Sequence, residues 1–104
     1  MNKVSYSPMA LNDLDDIWEY ITYRLSAPNA AEKTINGILD AVDRLNDHSK
    51  LGAPLYFESG LFSGYRYVRY KEYLAFYRIS GNDVMVDRVI YGRRDYMTIL
   101  FGNL

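Results

Sequence analysis

The chain of 104 residues contains no cysteine, a single histidine and only three prolines. Without cysteine there is no disulfide framework and no thiolate metal site. Also missing are a Walker loop, G-x-G-x-x-G, H-E-x-x-H and G-x-S-x-G, so the common phosphate, dinucleotide, zinc and serine-hydrolase sites are excluded. No stretch approaches the roughly 18 apolar residues of a membrane span, and the opening MNKVSYSPM lacks the apolar centre of a signal peptide. The expectation is a single soluble, cytoplasmic domain over residues 1–104, with no metal, cofactor, membrane or small-molecule substrate. So short a chain has little scaffold for a cofactor-sized cavity.

Net charge is also scarce, at −1. The near-neutrality is an average of two unlike halves. Residues 1–58 carry five basic and nine acidic groups, whereas residues 59–104 carry seven basic and four acidic ones. Tyrosine is abundant, and eight of its eleven copies (Tyr56, Tyr65, Tyr67, Tyr70, Tyr73, Tyr77, Tyr91, Tyr96) fall in the second half. An acidic half and a basic, tyrosine-rich half imply two faces with different partners, because local field steers an anionic ligand more than net charge does.

Asn2 to Tyr6 reads as a short extended stretch ending at Ser7-Pro8, where serine suits a helix cap and proline the first helical position. From there Leu11, Leu14, Ile17/Trp18, Ile21 and Leu25 recur every three or four residues. The acids among them sit near the positive end of the helix dipole, which explains them. Asp13, Asp16 and Glu19 lack a histidine or a second carboxylate cluster to complete a metal site. Ala27-Pro28 interrupts the pattern, and Asn29 with Glu32 has the form of a capping box opening a second helix. Its stripe Ala31, Ile35, Ile38, Val42, Leu45 suits packing on the first helix and a sheet, and the short connection predicts an antiparallel helical hairpin.

Residues 46–64, with Gly52, Pro54, Gly60 and Gly64, read as a loop with room for one turn of helix; His48 at its start suits a C-terminal dipole partner. Then the period changes. Tyr65 to Tyr70, Tyr73 to Ile79 and Val84 to Tyr91 predict three sequential antiparallel strands, with turns at Lys71-Glu72 and Ser80 to Asp83. Alternation places Tyr73, Ala75, Tyr77 and Ile79 on one face of the second strand and Leu74, Phe76 and Arg78 on the other. In the third, Val84, Val86, Arg88 and Ile90 share a face, as do Met85, Asp87, Val89 and Tyr91. Neither face is cleanly polar, so one packs on the hairpin and the other awaits the C-terminal segment or another protein. The tail Tyr96 to Phe101 is too short to stand alone and must dock. The fold class is α+β: strand, helical hairpin, small antiparallel sheet, and a short C-terminal helix or tail.

Arginine dominates the basic half, and arginine interleaved with tyrosine fits phosphate contact and base stacking. The same pattern also fits arginines that cover aromatic faces and pair with acids such as Asp87 and Asp95. Metal-free RNA cleavage would need a base, an acid and cations around the phosphate. Arginines supply the cations, and for proton transfer only Tyr91, Tyr96, Glu58, Glu72 and His48 are available.

The order of elements, with particular residues on it, resembles the RelE/ParE superfamily of toxins from bacterial type II toxin–antitoxin modules. The resemblance spans nearly the whole chain. It rests on Tyr6-Ser-Pro-Met-Ala10 and Leu14-Asp-Asp-Ile-Trp-Glu-Tyr-Ile21, on Gly64-Tyr65-Arg66 with Arg69 and Tyr73-Leu-Ala-Phe-Tyr-Arg-Ile79, and on Arg88-Val-Ile-Tyr-Gly-Arg-Arg-Asp95. Ribonuclease members commonly carry Tyr-Arg at the start of the middle strand and a tyrosine beyond the last arginine motif. Here Leu74 follows Tyr73, and no tyrosine follows Tyr96. The first helix and the closing motif are instead similar to the ParE branch, whose members poison DNA gyrase, although Tyr91 stands where that branch often has histidine.

What the resemblance implies is a plasmid-stabilisation or addiction toxin that inhibits growth by binding gyrase and is held inactive by a small acidic antitoxin. The alternative it implies is a ribosome-dependent mRNA endoribonuclease (an mRNA interferase) with Arg66, Arg69, Arg93 and Arg94 around the phosphate and Tyr91 or Tyr96 moving protons. A degenerate, non-toxic relative is the third reading. Target or nucleic-acid contact falls to Arg66, Arg69, Arg78, Arg88, Arg93 and Arg94. The antitoxin surface falls to Leu74, Phe76, Arg78, Val86, Arg88, Ile99 and Leu100.

Overall fold

A computed structural model describes residues 1–102. The chain runs β1 (Lys3–Tyr6), α1 (Pro8–Glu19), α2 (Pro28–Asp43), β2 (Ala53–Tyr56), β3 (Phe62–Tyr70), β4 (Tyr73–Ser80), β5 (Asp83–Tyr91) and α3 (Tyr96–Phe101). The five strands form one sheet in the order β1-β5-β4-β3-β2. β1 lies parallel to β5, and every other pairing is antiparallel. The expected α+β class is what the chain adopts, and the expected order of elements holds except for the added strand β2.

Ser7 and Pro8 open α1 as their chemistry requires. The Ser7 hydroxyl accepts from the Ala10 N–H at 3.0 Å and donates to the Asp87 carbonyl at 2.8 Å, so the cap also fastens the helix to the sheet. The buried side of α1 differs from the expected stripe. Ala10, Leu14 and Ile21 are buried, whereas Leu11, Trp18 and Leu25 are exposed. Ala10, absent from the expected stripe, is fully buried in the layer between hairpin and sheet. A π-helical turn, Tyr20–Arg24, follows α1, and α2 then starts with Pro28 as its first helical residue. The expected capping box at Asn29 is not made, because proline, which needs no N–H partner, already occupies the start.

In α2 the predicted stripe is the buried one: Ala31, Ile38, Val42 and then Leu45 face the sheet. Gly37 lies under the Tyr70 ring, and a Cβ there would run into the ring carbon Cζ. In an open helix Gly→Ala gains about 1 kcal/mol. Here Gly37→Ala is expected to destabilise by about 1–3 kcal/mol, since the ring must leave its seat. Urea denaturation of the two proteins reads the sign directly.

Two features of the sheet depart from the sequence expectation. β2 lies inside the segment read as a loop; its four residues are too few for a period and contain Pro54, but they pair with β3 through Ala53↔Tyr67, Pro54↔Arg66 and Tyr56↔Phe62. A β-bulge also breaks the register between β4 and β5. Phe76 pairs with Arg88 but the next residue, Tyr77, pairs with Val86, which leaves Asp87 as the extra residue. Beyond it the faces exchange. Val84 and Val86 share the face toward the helical hairpin, but thereafter it is Val89 that points there, while Ile90, expected on the face of Val84 and Val86, joins Leu74 and Phe76 on the opposite one.

Two apolar layers result. One lies between hairpin and sheet, built on Leu14, Ile38, Val42, Leu45, Tyr77 and Val86. The other, built on Leu55, Leu74, Phe76 and Ile90, is covered by Tyr96, Met97, Ile99, Leu100 and Phe101 of α3. Of the two expected covers for the second face, the C-terminal segment or another protein, the C-terminal segment is the one that docks there. Asp95 caps it, accepting from the Thr98 N–H at 3.2 Å and from its hydroxyl at 2.7 Å.

Candidate functional site

The arginines singled out from the sequence divide by their partners. Arg88 donates twice to Asp13, at 2.8 and 2.9 Å, and the Val89 N–H donates to the same carboxylate at 2.8 Å. Asp13 is therefore the plug of the β5 edge and not a helix-dipole partner, and Arg88 is not a free cation. Hydrogen bonding to Asp13 raises the Arg88 pKa further, against the opposing effect of burial. Arg78 donates to Asp87 at 2.6 Å, and the Tyr65 hydroxyl donates to the same oxygen at 2.7 Å. Burial, then the bond to Asp87, push Tyr65 up to about 12, so it stays a proton donor at neutral pH. As target-contacting cations, Arg78 and Arg88 are thus already engaged. The bulge that turns Asp87 out, and a fold that brings Asp13 within reach, create these pairs.

Arg66 donates to the Gly52 carbonyl at 3.1 Å, with its guanidinium 5.7 Å from the Phe62 ring centre. Arg93 lies 3.7 Å from Glu72, both of them exposed. Arg69 and Arg94 are exposed and make no ion pair among the described residues. The Gly92 N–H donates to the Glu72 carbonyl at 2.6 Å, which draws the end of β5 against the β3–β4 turn. Lys71, Arg93 and Arg94 thereby gather at one pole of the sheet, beside Tyr73 and Tyr91, whose rings are 5.6 Å apart. Arg69 sits one row in from that pole, paired with Leu74. Burial, then Tyr91 and Tyr20, raise the Tyr73 pKa.

The six residues suggested for RNA cleavage do not converge on one point. Arg66 pairs with Tyr77 and Tyr91 with Tyr73, four residues apart along β4, or about 13 Å. Tyr96 lies on α3 with its ring 5.2 Å from Phe76, across the sheet from the hairpin. Of the suggested antitoxin contacts, Leu74 and Phe76 are buried beneath α3, and Val86 is buried on the hairpin side, where no partner can touch it without unfolding. The other four do meet. Arg78, Arg88, Ile99 and Leu100 line one cleft of about 390 Å³, together with Met9, Tyr65 and Asp87.

Sequence and structure comparisons place this geometry in a family. The model of the ParE toxin of the type II toxin–antitoxin system parDE matches residues 4–96. The chain belongs to the ParE toxin family. No curated protein matches the sequence. Among solved structures, this ParE-family chain is similar to one from the chromosomal ParDE system of P. aeruginosa, with a TM-score of 0.71 at 24% identity over 88% of this chain and 96% of that one. It is also similar to a chain of the RelBE2 complex from Mycobacterium tuberculosis, with a TM-score of 0.58 at 22% identity over 86% and 90% of the two chains. A chain of the YoeB–YefM complex from Staphylococcus aureus gives 0.55 at 20% identity over 88% and 97%. These likenesses are of fold, and the family match makes the chain a type II toxin of the RelE/ParE superfamily.

Proposed function

We propose that the chain inhibits bacterial growth by ParE-like poisoning of DNA gyrase, acting by binding and not by cutting RNA. The observation that carries this reading is that, of the six candidate ribonuclease residues, Arg66 and Tyr96 lie apart from the end of the sheet that holds Arg69, Tyr91, Arg93 and Arg94. Acid–base cleavage needs base, acid and cations within reach of one phosphate. Leu74 adds to this, because an apolar residue buried under α3 stands where the resemblance puts an arginine in ribonuclease members. The exposed pole of Lys71, Arg93 and Arg94 is the part of the surface suited to a larger, anionic target.

An acidic antitoxin fits the cleft between α1 and α3. Arg78 there is 58% exposed although paired, and Met9, Ile99 and Leu100 offer apolar contacts beside it. A carboxylate next to an apolar side chain on an amphipathic segment would satisfy both. The P. aeruginosa, M. tuberculosis and S. aureus structures come from toxin–antitoxin systems or complexes, which supports such a partner.

In a supercoiling assay the purified chain is expected to inhibit gyrase while leaving ribosome-bound mRNA intact. Cleavage of mRNA in the ribosomal A site that disappears on replacing Arg69, Arg93 or Tyr91 would overturn the proposal. Unimpaired growth on induction of the chain alone would favour a non-toxic relative.

A further inference from the structure

The helical hairpin covers only part of its side of the sheet. It packs on Val68 and Tyr70 of β3, but the first half of that strand lies beyond it. Alternation puts Phe62, Gly64 and Arg66 on this uncovered stretch, and the register sets Tyr56 beside Phe62. Phe62 and Tyr56 are about half exposed, with ring centres 6.0 Å apart. Next to them is a hollow of about 310 Å³ lined by Lys50, Phe62, Gly64, Arg66, Tyr77 and Ile79. Among the described residues, no acidic side chain lines it.

The hollow is held in shape. The buried Tyr77 hydroxyl accepts from the Gly52 N–H at 3.0 Å and donates to the Ser49 carbonyl at 2.7 Å, which pins the segment carrying Lys50. Arg66 spends one N–H on Gly52, leaving other donors of its guanidinium for a ligand. Neither Arg66 nor Lys50 makes an ion pair among the described residues. Gly64, between Phe62 and Arg66, adds no side chain to fill the gap. A second hollow of about 260 Å³, which Gly52 also lines, holds Arg44 and Arg69, again with no acid among the described residues.

We propose that this uncovered half-face binds single-stranded nucleic acid, with bases stacked on Phe62 and Tyr56 and a backbone phosphate held by Arg66 and Lys50. Exposed rings beside unpaired cations are the two parts such a platform needs. Guanidinium matches a phosphodiester in charge and in the planar fork of its donors. A protein partner would find exposed rings here too, but the missing carboxylates and the paired cationic hollows favour a polyanion. The surface is separate from the cleft proposed for the antitoxin, and it does not depend on whether gyrase is the target.

The test is fluorescence anisotropy of the purified full chain with labelled oligothymidylate, oligouridylate and a duplex of equal length. Single strands of both sugars are expected to bind more tightly than the duplex, with a salt slope of about −0.7 for one neutralised phosphate. Phe62→Ala and Lys50→Glu, both at exposed positions, are each expected to weaken binding about tenfold. Lys33→Ala, on α2, is expected to change nothing. Circular dichroism confirms that each variant is folded. Equal affinity for duplex and single strand, or no change in either of the first two variants, overturns the proposal. So does loss of an antitoxin complex in Phe62→Ala with oligonucleotide binding intact, which would make the surface a protein interface.

Discussion

Asp13→Ala is expected to destabilise the fold by about 3–5 kcal/mol, the cost of leaving one member of a largely buried ion pair without its partner. Asp13 and Arg88 side chains are only 12% and 18% exposed, and the carboxylate accepts three hydrogen bonds, two from the guanidinium and one from the Val89 N–H. Alanine removes all three. It strands a charge and a backbone donor at the place where β5 runs past the end of β1 and would otherwise be an open edge. For a domain of this size the midpoint of thermal unfolding falls by roughly 4–8 °C per kcal/mol. Asp13→Asn, which keeps an acceptor but not the charge, should fall between. The double variant Asp13→Ala with Arg88→Met should recover much of the loss, because an apolar pair carries no desolvation cost. A Tm for Asp13→Ala within 2 °C of the parent would mean that the clamp contributes nothing.

The clamp also marks where sequence reading runs out. The start of α1 was legible because Ser7 and Pro8 act on their neighbours: a hydroxyl three residues before an N–H, and a ring with no N–H to satisfy. The buried stripe of α2 was legible because one helical period carries it. Counting apolar faces against the elements available to cover them shows that the tail must dock, on the sheet or on a partner, but does not choose between the two. Asp13 and Arg88 are 75 residues apart, and nothing local to either reveals the other. The bulge at Asp87 is equally silent. A simple alternation assigns every residue of β5 to a face, and one extra residue reverses the assignment for all that follow.

The same limit governs the candidate site. Tyrosine–arginine interleaving in the second half pointed to a cationic surface. Which arginines are free depends on Asp13, Asp87 and Glu72, and so on the register. Arg78 and Arg88 are tied, while no helical or strand period singles out Lys50, Phe62 and Tyr56 of the uncovered half-face. They lie in or beside the stretch read as a loop. The signal that would have found them is the pair of aromatic positions either side of the Phe57–Leu61 turn, which meet once β2 pairs with β3.

Phe76→Ala tests how α3 is held, and the effect should be as large as that of the clamp. Phe76 is fully buried on the face away from the hairpin, between the rings of Tyr67 at 5.7 Å and Tyr96 at 5.2 Å. Truncation of such a ring costs about 3–5 kcal/mol, part for lost burial and part for the cavity left behind. The loss should not be shared evenly. α3 has six residues, none of them fully buried, and a helix that short has no stability of its own. It should therefore loosen before the sheet does. Hydrogen exchange reports this directly: the amides of Ile99 and Gly102, which bond to the Asp95 and Thr98 carbonyls, should lose protection in Phe76→Ala, while those of β4 and β5 retain most of theirs. Phe76→Leu, which refills most of the space, should keep α3 docked. If the α3 amides in Phe76→Ala stay as protected as the sheet, the helix is held by its Asp95 cap and flanking contacts, and the Phe76 stack is not its anchor. If they do exchange, the C-terminal wall of the Arg78 cleft, Ile99 and Leu100, goes with them. Affinity for an acidic amphipathic peptide should then fall with the same variant that leaves the Lys50–Phe62 surface untouched.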